Sequence, residues 1–176
     1  MNDHEHAFNH RTAATRAVVT ACNDDGVVQT VDAQSHDGVT RGGVEVHQVF
    51  GLASVPPANG ATVVLIANGG DPSDMIALMA ANNWARLGGL QPGETAIYGV
   101  DGSRIHIKIG GHVEILAAAS VDITAPDCTV TCSGSITLDG DVHVTGTLSV
   151  GGATSIDGNL AVTGNITATG SITEDV

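Results

Sequence analysis

The chain has 176 residues, room for one ordinary domain and an extension, and Phe, Trp and Tyr make up only 2% of it, so any core has to be built from Val, Ile, Leu and Ala. A formal net charge of −13, with six Lys and Arg in all, argues against nucleic acid as a partner, because phosphates are held by cations, and equally disfavours a basic patch on an anionic membrane. No apolar run approaches the ~18–20 residues that span a bilayer, and the start MNDHEHAFNHRTAATR lacks the apolar segment of a secretory signal, so the expectation is a protein made and folded in a cytosol.

Residues 1–14 are polar and are expected to form a flexible N-terminal segment, in which His4, His6 and His10 have nothing apolar to anchor them. Ala17–Cys22 reads as a strand, Asn23-Asp24-Asp25-Gly26 as a turn and Val27–Val31 as the hairpin partner. Val44–Phe50 alternates and reads as a further strand. Pro56-Pro57-Ala58-Asn59-Gly60 breaks the chain before Ala61–Ala67, an apolar run of buried-strand length, and Asn68–Pro72 is again a turn. Met75–Ala81 fits a helix or a strand, since so short an apolar run does not settle the period. About five strands in this span predict a small closed β-barrel over residues 15–95.

Residues 96–133 read as a junction. Ile105, Ile107 and Ile109 alternate with His106 and Lys108, and the odd-numbered apolar register continues through Val113, Ile115, Val121 and Ile123. After Pro126 it switches to even numbers with Cys128, Val130 and Cys132. A one-residue shift flips every side chain to the other face, so a bulge or bend is expected between Ala125 and Asp127. The three cysteines, Cys22, Cys128 and Cys132, are an odd number and suggest no intrachain disulfide framework.

Residues 134–176 carry the strongest pattern. Gly134, Gly140, Gly146, Gly152, Gly158, Gly164 and Gly170 recur every six residues. Between them Ile136, Leu138, Val142, Val144, Leu148, Val150, Ile156, Leu160, Val162, Ile166, Ala168 and Ile172 occupy even positions, while the odd positions are almost all Ser, Thr, Asp, Asn or His. Period-2 alternation sustained this long predicts a rod-like array of strands. One apolar stripe on one chain would stay wet and leave its edges unpaired. Three chains wound about a common axis bury it, and each fully covered Val, Leu or Ile then contributes about 1.5–3 kcal/mol. A single-chain hexapeptide solenoid is the competing geometry; both inward positions of most hexads are bulky, which favours the intertwined form. The trimer seam is therefore placed on Ile136, Leu138, Val142, Val144, Leu148, Val150, Ile156, Leu160, Val162, Ile166 and Ile172. Thr154 and Glu174 depart from the stripe, the second at the end of the rod. The predicted fold is all-β: an N-terminal OB-like β-barrel followed by an intertwined trimeric, triple-stranded β-helix.

The stretch GDPSDMIALMAANNWARLGGLQPGETAIYGVDGSRIHIKIGGHVEI, with LQPGETAIY at residues 90–98, the turn at Asp101-Gly102 and the Gly-x-apolar-x-apolar repeats after it, resembles the phage baseplate assembly protein V family, the Mu-like central spikes of contractile phage tails and R-type pyocins. The resemblance spans roughly residues 17–172 and is stronger at the junction than in the barrel. It implies a homotrimer whose barrel docks on a baseplate hub protein and whose β-helix is driven through the target envelope on sheath contraction, with only transient contact with the target membrane. It also implies that Met75–Ala81 is a strand. Family members with a complete tip carry a His-x-His near the C-terminus whose three copies bind iron. Here the chain ends GSITEDV, with no histidine after His143, so no metal-bearing apex is expected, and a PAAR-type tip protein is the expected cap. The implied location is a virion tail baseplate or injection particle assembled in the bacterial cytoplasm.

No catalytic residue, cofactor site or metal site is expected. Asp139, Asp141 and Asp157 fall on the outward face of a repeat, where no pocket perturbs a carboxylate. No Ser-His-Asp arrangement, phosphate loop or zinc spacing occurs. His106 and His112 flank the junction strand without a ligand pattern. Cys128 and Cys132 share inward parity and could stack near the axis as buried small apolar residues or as interchain disulfides, of which burial is the expected one. A polymerising scaffold of bactofilin type lacks an N-terminal barrel, which residues 17–81 supply. A hexapeptide-repeat acyltransferase needs a catalytic histidine in a cleft between coils, which the chain does not offer.

Overall fold

The computed structural model describes residues 13–36, 38–57 and 60–173. His4, His6 and His10 of the N-terminal segment, and Glu174 at the far end of the repeat, lie outside the described residues. The chain divides into two units, Met1–Thr124 and Ala125–Val176. The described residues are all-β, with one 3-10 turn at Asn68–Gly70.

In the first unit β1 (Ala14–Asn23), β2 (Thr30–Ser35), β3 (Thr40–His47), β4 (Ala61–Ala67) and β5 (Met75–Asn82) close into a barrel in the order β1-β2-β3-β5-β4. Closure comes from β1, which pairs antiparallel with both β2 and β4, and from β3 and β5, which run parallel. Strand β4 shows why the sequence folds this way. Ala61, Val63, Leu65 and Ala67 point inward and are buried, whereas the residues between them are half-buried. The same alternation buries Ala17 and Val19 of β1, Val31 and Ala33 of β2, and Val44 and Val46 of β3. The core is thus aliphatic and of small side chains, as the scarcity of aromatics requires.

Register shifts fit the strands to the barrel, one of them between Thr62 and Val63 where β4 pairs with β5. The β1–β2 register slips between Val19 and Ala21, which lets one strand bend to serve two partners. The β2–β3 register slips between Val31 and Ala33. There Gly43 adopts φ +63°, a conformation that glycine reaches without Cβ strain, and its N–H donates to Asp32 Oδ1 at 2.8 Å.

The second hairpin strand starts later than Val27–Val31 suggests. The Asp25 N–H donates to Asn23 Oδ1 at 2.9 Å, and Gln29 Nε2 donates to Asp24 Oδ1 at 2.7 Å. These bonds hold residues 24–29 as a loop, and Val27 and Val28 face solvent. Strand β3 likewise ends at His47, because Gln48 turns to bond Ser54 through both its Oε1 and its Nε2. Met75–Asn82 is a strand, paired with β4 from Met75 through Asn82.

Beyond the barrel, β6 (Thr95–Tyr98), β7 (Arg104–Lys108) and β8 (His112–Leu116) form an antiparallel sheet in chain order. The β6–β7 turn is closed by Gly99 N–H donating to Ser103 O at 2.8 Å, with Asp101 Oδ1 accepting from the Ser103 N–H at 3.0 Å.

The second unit is different in kind. The backbone bends at Pro126, where the apolar register changes parity, and then at or beside each repeat glycine from Gly134 to Gly170. Among its described residues there is no strand, and every side chain is exposed.

Candidate functional site

The residues expected to form the seam stand on the second unit and are all exposed. Their exposure runs from 46% at Val162 to 78% at Ile172. None of the repeat glycines has a heavy atom within 4 Å of where a Cβ would stand. Two of them, Gly140 at φ +132° and Gly158 at φ +141°, take backbone conformations that L-residues avoid. They lie three hexads apart and each follows an aspartate, Asp139 or Asp157. This longer period was visible in the sequence as the recurring Asp-Gly, but only the dihedral angles single it out. Gly140→Ala is therefore expected to cost about 1–3 kcal/mol per chain, more than Gly164→Ala, whose φ is ordinary. Thermal unfolding of the two variants compares them, and equal costs would contradict the assignment.

The junction sheet continues the theme on one face and reverses it on the other. Cross-strand pairing aligns Ile97 with Ile105 and Ile105 with Ile115, and it aligns Ile107 with Val113. All five are exposed. The opposite face carries Arg104, His106, Lys108 and Glu114. Glu114 is gripped from both sides, by Lys108 Nζ at 2.9 Å on Oε1 and by Arg104 Nη2 at 2.7 Å on Oε2. His106 Nε2 stands 3.2 Å from Glu94 Oε2, with the two side chains only 11% and 8% exposed. Glu94 also accepts from the Gln91 N–H at 2.9 Å, so its carboxylate locks the loop before β6 onto β7. The residue alternation of β7 announces this face; Glu94, ten residues upstream in a loop, carries no local signal.

Both carboxyls titrate below their ordinary range. Lys108, then Arg104, hold Glu114 down by donating to it. The Gln91 N–H does most for Glu94, with His106 adding to it. A carboxyl lowered in the folded state stabilises the fold above its unfolded pKa, and that contribution is lost as pH falls through the folded value. The sheet is therefore expected to loosen below about pH 4. Melting curves between neutral and acid pH should show a smaller acid-induced drop in Glu114→Gln than in the parent chain. An identical drop in both would show that the grip on Glu114 contributes nothing.

A recess of about 520 Å³ in the first unit is lined by Ser54–Pro57, Met79, Ala81, Asn82, Ala85 and Tyr98–Val100. Tyr98 is the sole titratable side chain in that lining. Among the described residues of one chain no three His, Cys, Asp or Glu side chains converge as a metal site. His112, His143, Asp139, Asp141 and Asp157 are all exposed. Cys128 and Cys132 are exposed and free in the single chain, whereas Cys22 packs partly against the barrel core, where burial pushes its thiol pKa up.

Residues 16–83 match the family described as Bacteriophage Mu Gp45, N-terminal, a span that begins in β1 and ends just after β5. The chain is also 30% identical over 128 residues to the baseplate puncturing device gp45 of Escherichia phage Mu, an alignment covering 69% of this chain and 64% of that relative. The matched part of the chain thus spans somewhat less than two thirds of the relative's length.

Proposed function

We propose, for a chain shown to resemble the Mu-like baseplate spike family, that three copies intertwine into the central spike of a contractile tail or injection baseplate. In this reading residues 15–95 form an OB-like barrel that docks on the baseplate hub, residues 96–133 gather the three chains, and residues 134–176 wind into a triple-stranded β-helical needle. The needle is pushed through the target envelope when the sheath contracts. Its role is mechanical, without an active site or cofactor, and its place is the virion tail or an equivalent particle assembled in the bacterial cytoplasm. A small PAAR-type protein caps the far end.

One observation carries the reading: among the described residues the apolar stripe of the repeat is exposed and forms no strand pairing. Unpaired backbone groups beside an apolar stripe do not hold a structure alone in water. A single-chain solenoid would pair each coil with the next, and the described residues contain no such pairing. Interchain pairing satisfies the backbone and the stripe together. The relative's printed description as a puncturing device gives the direction of use.

Hydrogen exchange on the intact protein tests this. Amides from Ile136 to Ile172 are expected to be protected at least as strongly as those of β4, because each would be paired with a neighbouring chain. Exchange across this span at open-chain rates would sink the needle.

A further inference from the structure

We propose that the stripe's cysteines, Cys128 and Cys132, form thiol sites for a soft metal ion of the Zn²⁺ class on the axis of the spike. The inference rests on the trimer reading above and adds a ligand to it. Cys128, Val130 and Cys132 share one parity immediately after the bend at Pro126, and that parity continues without interruption into Ile136 and Leu138. The three copies of the spike repeat every inward position around the threefold axis, so each cysteine becomes a ring of three identical thiols.

Three thiols on one axis are an odd number. A disulfide within a ring joins two and leaves the third. In a needle of extended strands the four residues from Cys128 to Cys132 would span about 13 Å, beyond the roughly 7 Å between Cα atoms that a disulfide can bridge. A soft cation satisfies all three equally: Zn²⁺ and its heavier analogues bind three thiolates and complete the shell with water. The thiols release their protons to solvent on binding, and no oxidant or reductant is needed. One chain supplies two such ligands and no converging third, so the site exists only in the assembled spike. It would also pin the register of the three chains at the top of the needle, where the apolar parity has just changed.

The test uses the full-length protein, reduced and stripped of metal, titrated with Cd²⁺. Thiolate-to-metal charge-transfer absorption in the ultraviolet is followed, and the mass of the same sample is read by sedimentation. The expected result is saturation at about two Cd²⁺ per trimer, falling to about one in Cys128→Val or Cys132→Val and to none in the double variant. Valine keeps the stripe apolar and the trimer intact, and Cys22, retained throughout, reports any signal from elsewhere. A trimer without the absorption, or with chains covalently linked on non-reducing gels, overturns the metal site and leaves the spike standing. A sample that sediments as single chains overturns the spike, and the metal site with it.

Discussion

Val162→Asp is expected to reduce the assembled protein to single chains, whereas Asp141→Asn leaves it assembled. Val162 lies on the apolar stripe between Leu160 and Gly164, and its neighbours two residues away on the same face are needed for any continuous seam. In a threefold spike the substitution places three carboxylates around one axis. Each unpaired buried charge costs several kcal/mol even after relaxation, and each lost valine forgoes about 1.5–3 kcal/mol of burial. The sum exceeds the whole ~5–15 kcal/mol by which a domain is stable. Asp141 has outward parity and is exposed, so losing its charge removes no contact. Sedimentation of the two variants beside the parent decides the matter. Equal tolerance of both substitutions would mean that the stripe faces no partner.

The second large effect belongs to the barrel. Leu65→Ala is expected to destabilise it by about 2–5 kcal/mol, the range for a buried leucine that leaves a cavity. Leu65 is 1% exposed and lies opposite Thr15 of β1 and Ala77 of β5, so two paired strands fix its backbone. The other large fully buried side chains of the same core, Val19, Val31 and Val63, are short and branched and cannot extend to fill a gap. Leu78, on the outer face of β5 and substantially exposed, serves as the comparison, and Leu78→Ala should cost under about 1 kcal/mol. Urea titrations followed by far-ultraviolet circular dichroism measure both. A Leu65→Ala midpoint indistinguishable from that of Leu78→Ala would show that the closed barrel does not limit stability.

How far the sequence could be read followed from how local each signal was. Strand β4 runs from Ala61 to Ala67, as its apolar run and the flanking Gly60 and Asn68 indicate. Strand β2 was misplaced by about three residues, because Val27 and Val28 look like strand residues while a side-chain hydrogen bond from Gln29 to Asp24 holds them in a loop. Strand β5 could not be told from a helix by period alone; what decides it is its pairing with β4 and β3, which no seven-residue window contains. The family resemblance was carried by residues 90–98 and the turn after them, yet the family match falls on residues 16–83. The Glu94–His106 contact joins a loop to a strand twelve residues on and was not legible. In the repeat, the stripe and its glycines are a pattern of the sequence itself. The surface that covers them was not legible, because a pattern on one chain states that a cover is required without naming the chain that supplies it.

Sedimentation of the full-length protein tests that last point most directly, since it yields mass and axial ratio together. The spike requires a stable, elongated particle of three times 17.7 kDa that does not dissociate on dilution. A single chain of 17.7 kDa, or a distribution of open-ended polymers, would contradict it.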